Sequence, residues 1–269
     1  MPVRIGDEIN GIGGLLAGTA NVIMQLSWPP VGYGVLESTV DSGQVFRHPL
    51  KRTRTTLTYL AVAMFGSEGE RQAFREAVNR SHAAVHSGPD SPVEYNAFDP
   101  DLQRWVAACL YWGSRDLRIR LRGPMDDATA EGFYREAARF ATTLQVKPDQ
   151  WPPDRLAFDA YWDAALSRVS IDGPVRAYLE DLMRLRFLPG PVQRLFGGWS
   201  QFVTTGFLPA PFREAMRLPW TGADERRFDR LVRSLAAFDR RAPGMVRRFP
   251  YNVLLWDMRA RRRLGRPLV

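Results

Sequence analysis

Apolar residues recur at intervals of three and four along almost the whole chain, the spacing of one buried face of an α-helix. No run of strict apolar–polar alternation bounded by hairpin turns interrupts this pattern. Proline and glycine divide the chain into segments of helical length, because proline cannot donate a backbone hydrogen bond and crowds the preceding turn. The sequence therefore predicts an all-α protein.

The chain has 269 residues, of which 45% are apolar, and this suffices for one large buried core. We expect helices at about 8–27, 31–40, 50–65, 68–86, 100–119, 127–144, 155–168, 173–187, 191–205, 210–217, 223–240 and 243–258. The most loop-like stretch, 88–96, is too short for an interdomain linker, and no repeat is present. We expect residues 1–269 to form a single globular multi-helix domain.

The formal net charge is +8, and arginines spread along the chain carry almost all of the positive charge. A nucleic-acid-binding protein would concentrate such charge on one face, so we expect no nucleic-acid partner. The one dense run is Arg259, Arg261, Arg262, Arg263 and Arg266. It is typical of a solvated helix end, and it leaves room for weak peripheral contact with anionic lipid.

The first residues, MPVRIGDEIN, lack the basic start and apolar core of a secretory signal. The apolar stretch 11–24 is interrupted by Asn21 and falls short of the ~20 residues that a membrane helix needs. It predicts a buried core helix, and we expect no transmembrane segment. The single cysteine, Cys109, excludes an internal disulfide, and a cytoplasmic location is the default expectation.

His82 and His86 are the strongest candidates for chemistry, because a spacing of four places both imidazoles on one face of the predicted helix 68–86. Zinc needs three or four ligands, and the only further histidine is His48. Di-iron bundles need Glu-x-x-His, which the chain lacks. Haem needs only one neutral histidine, an apolar slot and arginines for its propionates. Ordinary packing of a half-buried histidine is the commoner alternative.

Arg52 and Thr56 lie one helical turn apart and would place a guanidinium and a hydroxyl on one side of a cavity. A basic first turn of a helix would have the same pattern. Glu37 is either a base in a closed site or an exposed carboxylate at a helix end. The residues alone leave both alternatives open.

Two further features favour structural roles. Cys109 lies in the apolar segment AACLYW and is expected to fill the core rather than act as a nucleophile. The aromatic residues Trp105, Tyr111 and Trp112 also have core spacing, although they could line a hydrophobic cavity.

Four segments together resemble one known family along most of residues 15–250. They are AGTANVIMQLSWPPVGYGV, RTRTTLTYLAVAMFG, HAAVHSG with the following YNAFDPDLQRWVAACLYWG, and FLPAPFREAMRLPW. The chain is similar to the DUF2236 group, which includes the MpaB-type oxygenases and, more distantly, the haem-b latex-clearing rubber oxygenases.

This resemblance implies an all-helical oxygenase with a haem-sized pocket between helices and haem b as its cofactor. In the family pattern a His-x-x-Val segment carries the iron ligand, and His82 fits it best. His86 stands one turn later and departs from the pattern, so the ligand is either His82 or His86, with His82 preferred. Arg52 and Thr56 match the family's Arg-x-x-x-Thr pattern beside the haem, and Glu37 corresponds more loosely to an acidic pocket residue.

The reaction that the resemblance implies uses dioxygen to oxidise or cleave an alkene of a hydrophobic small molecule, such as an isoprenoid. The chain looks shorter than the rubber oxygenases, so polyisoprene itself is not expected as the substrate. The alternative is a non-catalytic helical haem- or lipid-binding protein. A third hypothesis is a metal-dependent hydrolase that uses His48, His82 and His86, although no carboxylate ligand accompanies them.

Overall fold

A computed structural model describes residues 5–269 of the chain. Residues 1–4, which begin the segment predicted not to be a signal sequence, lie outside the described residues. Between residues 5 and 269 the chain forms α-helices and two short 3₁₀ turns but no strand, which confirms the predicted all-α class. Apolar side chains from nearly all of these helices form one shared core.

The helices follow one another with short connections. They are α1 Ile5–Glu8, α2 Gly11–Leu26, α3 Pro29–Leu36, α4 Pro49–Phe65, α5 Glu68–His82, α6 Pro100–Arg122, α7 Asp127–Ala137, α8 Arg139–Thr142, α9 Arg155–Leu166, α10 Gly173–Met183, α11 Gly190–Phe207, α12 Ala210–Ala215, α13 Gly222–Arg241, α14 Gly244–Arg247 and α15 Tyr251–Arg263. The 3₁₀ turns are Asp41–Gly43 and Pro148–Gln150.

Two long helices, α2 and α6, pack against each other through the centre of the molecule, and α15 packs along α4. Stacked indoles join α6 to its neighbours. The rings of Trp28 and Trp105 lie 4.6 Å apart and almost parallel, and Trp162 of α9 stacks 5.4 Å from Trp105. The Trp105 indole N–H also donates to the Gln25 carbonyl near the end of α2, at 3.0 Å. Offset aromatic stacks of this kind add to the burial of apolar area.

Side-chain caps define several helix starts. Ser67 accepts a hydrogen bond from the Glu70 backbone N–H while the Glu70 carboxylate accepts from the Ser67 backbone N–H, so α5 begins with a capping box. At the start of α6 the Asp99 carboxylate accepts from the Asp101 backbone N–H at 2.8 Å, and Pro100 occupies the first helical position. This second cap is the one that the Asp-Pro dipeptide predicts.

Three predicted helices are wrong in extent. The segment expected at 68–86 ends at His82, since the chain turns at Ala83 and then pairs His86 with Asn96 in an antiparallel bridge. The segment expected at 243–258 is two helices, because Pro250 has no N–H to continue the first of them. The segment expected at 127–144 breaks at a one-residue turn.

Gly206 of α11 allows a close approach between helices, and its replacement is expected to destabilise the fold. A Cβ atom there would lie 2.3–2.6 Å from three atoms of the Phe228 ring. Gly206→Ala should therefore lower the free energy of unfolding by about 1–3 kcal/mol, as overpacked substitutions do. Chemical denaturation measures this change.

Gly198 is the matched control, because it lies on the same helix and a Cβ there would meet no atom within 4 Å. Gly198→Ala should be neutral or raise the free energy of unfolding by up to ~1 kcal/mol through helix propensity. Equal losses in both variants would contradict the packing argument.

Candidate functional site

A cavity of about 600 Å³ lies between helices α2, α4, α5, α6 and α10. This volume falls within the ~300–1,000 Å³ of small-molecule and cofactor sites. Most of its wall is apolar, and the members of that wall include Val22, Val31, Val35, Leu57, Leu60, Val78, Leu102, Val106, Leu110, Phe140, Leu144 and Phe187. The cavity can therefore hold a hydrophobic molecule or a largely apolar cofactor.

Helix α4 contributes the main polar stripe of the wall. Arg52, Thr55, Thr56 and Tyr59 recur at intervals of three, one and three, which places them on one helical face, and all four line the cavity. The Tyr59 hydroxyl donates to the Phe140 carbonyl and is thereby occupied. Arg52, Thr55 and Thr56 thus supply the guanidinium and hydroxyls that face the cavity, in the positions that the sequence pattern predicts.

His82 is the last residue of α5 and also lines the cavity. Its ring is half-buried and lies edge-on to Phe98, with 6.3 Å between the ring centres. The Nδ1 atom is buried without a hydrogen-bond partner among the described residues. A buried ring nitrogen with no partner is uncommon in a folded protein and marks a side chain that is available to a ligand.

Burial and positive charge keep the imidazole neutral. Burial, together with the nearby positive charge of Arg52, lowers the pKa of His82 from 6.5 to about 4. No carboxylate contributes to this pKa. A neutral imidazole is the form that binds a metal, so His82 is prepared for that role at physiological pH.

Arg52 is a desolvated cation. Burial lowers its pKa, an effect that the nearby Tyr178 partly offsets, yet a guanidinium stays protonated in proteins. Within residues 5–269 its side chain forms no ion pair, in contrast to Arg104 and Arg122, which pair with Asp101 and Asp239. An unpaired guanidinium on an apolar wall favours a carboxylate or another anionic group as its partner.

The other two histidines lie apart from His82. His86 is exposed, does not line the cavity, and has only a 3.4 Å contact from Nδ1 to the Ser87 carbonyl. The expectation that His82 and His86 share a helical face is wrong, because α5 ends between them. His48 is an exposed residue at the start of α4, where Nε2 lies 2.6 Å from the Asp41 carboxylate.

Within the described part of the chain, no group of three His, Cys, Asp or Glu side chains could hold a metal ion. The separate positions of His48, His82 and His86 leave the hydrolase hypothesis without a ligand set. A haem iron makes a smaller demand, because one axial histidine is sufficient.

Glu37 ends α3 and is exposed, and it does not belong to the cavity wall. Its carboxylate accepts a hydrogen bond from the Tyr95 hydroxyl at 2.9 Å, and Tyr95 does line the cavity. Burial, together with this hydrogen bond, raises the pKa of Tyr95 to about 12. Glu37 therefore reaches the cavity only through Tyr95.

Tyr178 is a site residue that the sequence analysis missed. It lies on α10, lines the cavity and is half-buried close to Arg52. Burial raises the pKa of its phenol, and the positive charge of Arg52 acts against that rise. The only sequence signal was its place among helically spaced apolar residues, which is equally typical of a core tyrosine.

Gly18 of α2 also lines the cavity, and a Cβ atom there would meet nothing within 4 Å. At Gly18 the wall is therefore backbone alone, and a side chain added there would meet no protein atom. Trp112 borders the cavity, whereas Trp105 and Tyr111 are fully buried core residues. Cys109 is also fully buried, and burial raises the pKa of its thiol, so it is a core residue and not a nucleophile.

Among the residues that the structure describes, no helix has both the length and the apolar character that crossing a membrane requires.

The low pKa of His82 predicts a pH dependence of stability. The unfolded chain takes up a proton at this imidazole near pH 6.5, whereas the folded chain does so only near pH 4. The free energy of unfolding should therefore fall as the pH drops through this window, with a contribution from His82 on the order of 1–3 kcal/mol.

Urea denaturation of the wild-type chain, His82→Gln and His86→Gln, at a series of pH values across this window, tests the assignment. His82→Gln should flatten the pH dependence, and the exposed His86→Gln should leave it unchanged. An unaltered slope in His82→Gln would show that another group titrates.

Comparison with known proteins shows the family to which the chain belongs. The chain matches the family model described as "ER-bound oxygenase mpaB/B'/Rubber oxygenase, catalytic domain" over residues 9–237, which include Arg52 and His82. It is similar to two uncharacterised proteins, from Mycobacterium bovis and Mycobacterium tuberculosis. Each is 52% identical over 255 residues, which cover 95% of this chain and the whole of the relative. No solved structure matches the chain. The chain belongs to the family of mpaB and rubber oxygenase catalytic domains, and its general activity is that of an oxygenase.

Proposed function

We propose that the chain is a haem b-dependent oxygenase that oxidises or cleaves an alkene of a hydrophobic small molecule. The observation that carries this proposal is the neutral, unpaired His82 on the wall of an apolar cavity that also holds the unpaired Arg52. His82 is the proposed axial ligand, in preference to the exposed His86.

The residues present fit this cofactor in three respects. A neutral imidazole can bind iron, a guanidinium can pair with a propionate, and the apolar wall matches the faces of a porphyrin. Haem, when bound, supplies the iron at which dioxygen is activated. The chain would supply the iron ligand, orient the haem and the substrate, and keep water out of the cavity.

Arg52 and Thr56 would act together on the polar side of the cavity. The Arg52 guanidinium has donors free for a propionate or for an oxygen atom, and its positive charge stabilises negative charge that develops nearby. One helical turn away, the Thr56 hydroxyl can donate to, or accept from, an ordered water. Tyr178 adds a phenol that stays protonated near neutral pH and can donate to the same group.

Glu37 has an indirect role in this proposal. Its carboxylate fixes the hydroxyl of Tyr95, whose ring forms part of the cavity wall. We therefore assign Glu37 to the positioning of this wall and not to direct proton transfer with a substrate.

The substrate class follows from the wall chemistry. The many valine, leucine and phenylalanine side chains of the wall favour an apolar molecule and exclude water, which protects reactive species from side reactions. An alkene-bearing lipid, including an isoprenoid, has the required character, and dioxygen is small and apolar enough to enter the same space.

Absorption spectroscopy tests the cofactor and its ligand together. Protein produced with an adequate haem supply should show a Soret band that is lost or strongly shifted in His82→Ala and retained in His86→Ala. The reverse pattern would move the ligand to His86. If the chain binds no haem, either as purified or when titrated with haem, the proposed cofactor would be ruled out.

The role of Arg52 predicts a specific loss of affinity. Arg52→Gln should weaken haem binding by about 10- to 100-fold, because a hydrogen bond to a charged group contributes about 1.5–3 kcal/mol. Arg54→Gln is the matched control, since Arg54 lies on the same helix beside Asp257 and Arg261 and does not line the cavity. Titration monitored by absorbance compares the two, and equal losses would contradict a direct contact.

A non-catalytic haem- or lipid-binding protein would use the same cavity. Incubation of the haem-loaded chain with a reductant, oxygen and alkene-bearing lipids separates the two functions. Oxygenated product that disappears without oxygen supports the oxygenase, whereas stable haem binding with no product supports the binding protein.

A further inference from the structure

A row of apolar side chains is exposed along α14 and α15, outside the cavity described above. Met245 is 77% exposed, Phe249 47%, Val253 51% and Trp256 71%. Single exposed apolar residues are ordinary, but a contiguous row that contains a tryptophan marks an interaction surface.

Helical spacing shows why these residues share one side of α15. The core-facing side carries Tyr251, Leu255 and Met258. Val253, Trp256 and Arg263 lie on the opposite side, because positions three and seven residues apart on a helix face nearly the same way. The exposed row therefore continues directly into the arginine-rich end of the helix.

This end of the molecule is strongly basic. Arg259 pairs with Glu70 at 2.6 Å, and Arg261 pairs with Asp257 at 2.8 Å. Within residues 5–269, Arg262, Arg263 and Arg266 form no ion pair and are exposed. Unpaired guanidiniums next to exposed apolar groups create a surface that is both cationic and hydrophobic.

Helix α4 extends the same surface. It packs antiparallel to α15, since Arg248 lies 5.8 Å from the Phe65 ring near one end and Arg54 lies beside Asp257 and Arg261 near the other. Leu50, at the start of α4 and 85% exposed, is thereby placed near Leu264, which is 65% exposed.

We propose that this surface binds the face of an anionic lipid bilayer. We call it the Trp256 surface, and its members are Leu50, Met245, Phe249, Val253, Trp256, Arg263, Leu264 and Arg266. Tryptophan and aliphatic side chains partition into the boundary between headgroups and acyl chains, while arginines attract anionic headgroups. Both requirements are met on one side of the molecule.

Charge complementarity favours an anionic lipid bilayer as the partner of this surface over a second copy of the chain or a nucleic acid. A second copy of the chain in a two-fold dimer would bring the same unpaired arginines against each other. A nucleic acid would match the charge but leaves the aliphatic Leu50, Met245 and Val253 without a function. An anionic bilayer satisfies the arginines and the apolar row together.

The proposal does not depend on the haem hypothesis, because no member of the Trp256 surface lines the cavity. The two are nevertheless neighbours along the chain. After α15 the chain passes from the exposed Leu264 to Leu268, which packs against the core, and to Val269, which lines the cavity. A chain held at a bilayer by this surface would have its cavity close to a reservoir of hydrophobic molecules.

Vesicle co-sedimentation of the full chain tests the charge component. The wild type should bind vesicles of equal parts phosphatidylcholine and phosphatidylglycerol and bind pure phosphatidylcholine much more weakly. Arg263→Gln with Arg266→Gln should reduce affinity for the anionic vesicles about 30-fold, because each arginine at such a surface contributes about 1 kcal/mol. Added salt should shrink this difference.

The double variant Arg226→Gln with Arg230→Gln is the matched control. It removes the same net charge from exposed residues in the first half of α13, away from the end that leads into α14. It should change vesicle affinity less than about 3-fold, as expected for long-range charge alone.

Trp256→Ala tests the apolar component, and Trp199→Ala of α11, which is 45% exposed in the wild type, is its control. Loss of an inserted tryptophan should lower affinity about 10-fold or more, with little dependence on salt. Trp199→Ala should bind like the wild type. Circular dichroism and thermal unfolding should show that all four variants stay folded.

Several outcomes would overturn the proposal. They are absence of binding to anionic vesicles, equal binding to neutral and anionic vesicles, and equal losses in the control variants. Concentration-dependent dimerisation that Trp256→Ala abolishes would assign the surface to a second copy. Tighter binding to a single-stranded oligonucleotide than to vesicles at the same salt would assign it to nucleic acid.

Discussion

The stacking of Trp28 on Trp105 is the contact on which the arrangement of the central helices depends. The two rings lie 4.6 Å apart, and each indole N–H donates to a carbonyl of another helix, Trp105 to Gln25 and Trp28 to Ala165. These contacts fix the spacing of α2 and α6, and both helices form part of the cavity wall. Rigid aromatic packing between α2 and α6 therefore sets the shape of one side of the cavity.

The energetic cost of the site lies in two desolvated basic groups. His82 responds by giving up its proton, whereas Arg52 cannot and remains a cation on an apolar wall. Since no carboxylate contributes to either pKa, the site is electrostatically incomplete by itself. An anionic group that enters the cavity would offset the desolvation of Arg52 by pairing with its guanidinium.

Periodicity and proline placement predicted the all-α class and most helices, because these depend on local spacing and on the burial of one face. The spacing of four between Arg52 and Thr56 also predicted that they share a face of α4, and the structure shows that this face lines the cavity. Periodicity and proline placement did not predict that α5 ends at His82, since this end depends on the pairing of His86 with Asn96, a tertiary contact. Tyr178 was missed for a related reason: it comes from a distant helix, and only the folded structure brings it beside Arg52. Glu37 matched a motif loosely, and its exposure shows that motif position alone does not establish contact with a cavity.

The bare backbone at Gly18 has a consequence for the range of ligands that the cavity accepts. A side chain added there would project into free space instead of colliding with the protein, so the helix would lose nothing and the cavity would lose volume. A single substitution at Gly18 can thus change the length or branching of the molecules that fit the cavity, while the fold and the polar groups of the wall stay unchanged. At Gly18 the volume of the cavity can therefore be changed independently of the polar groups Arg52, Thr56 and His82.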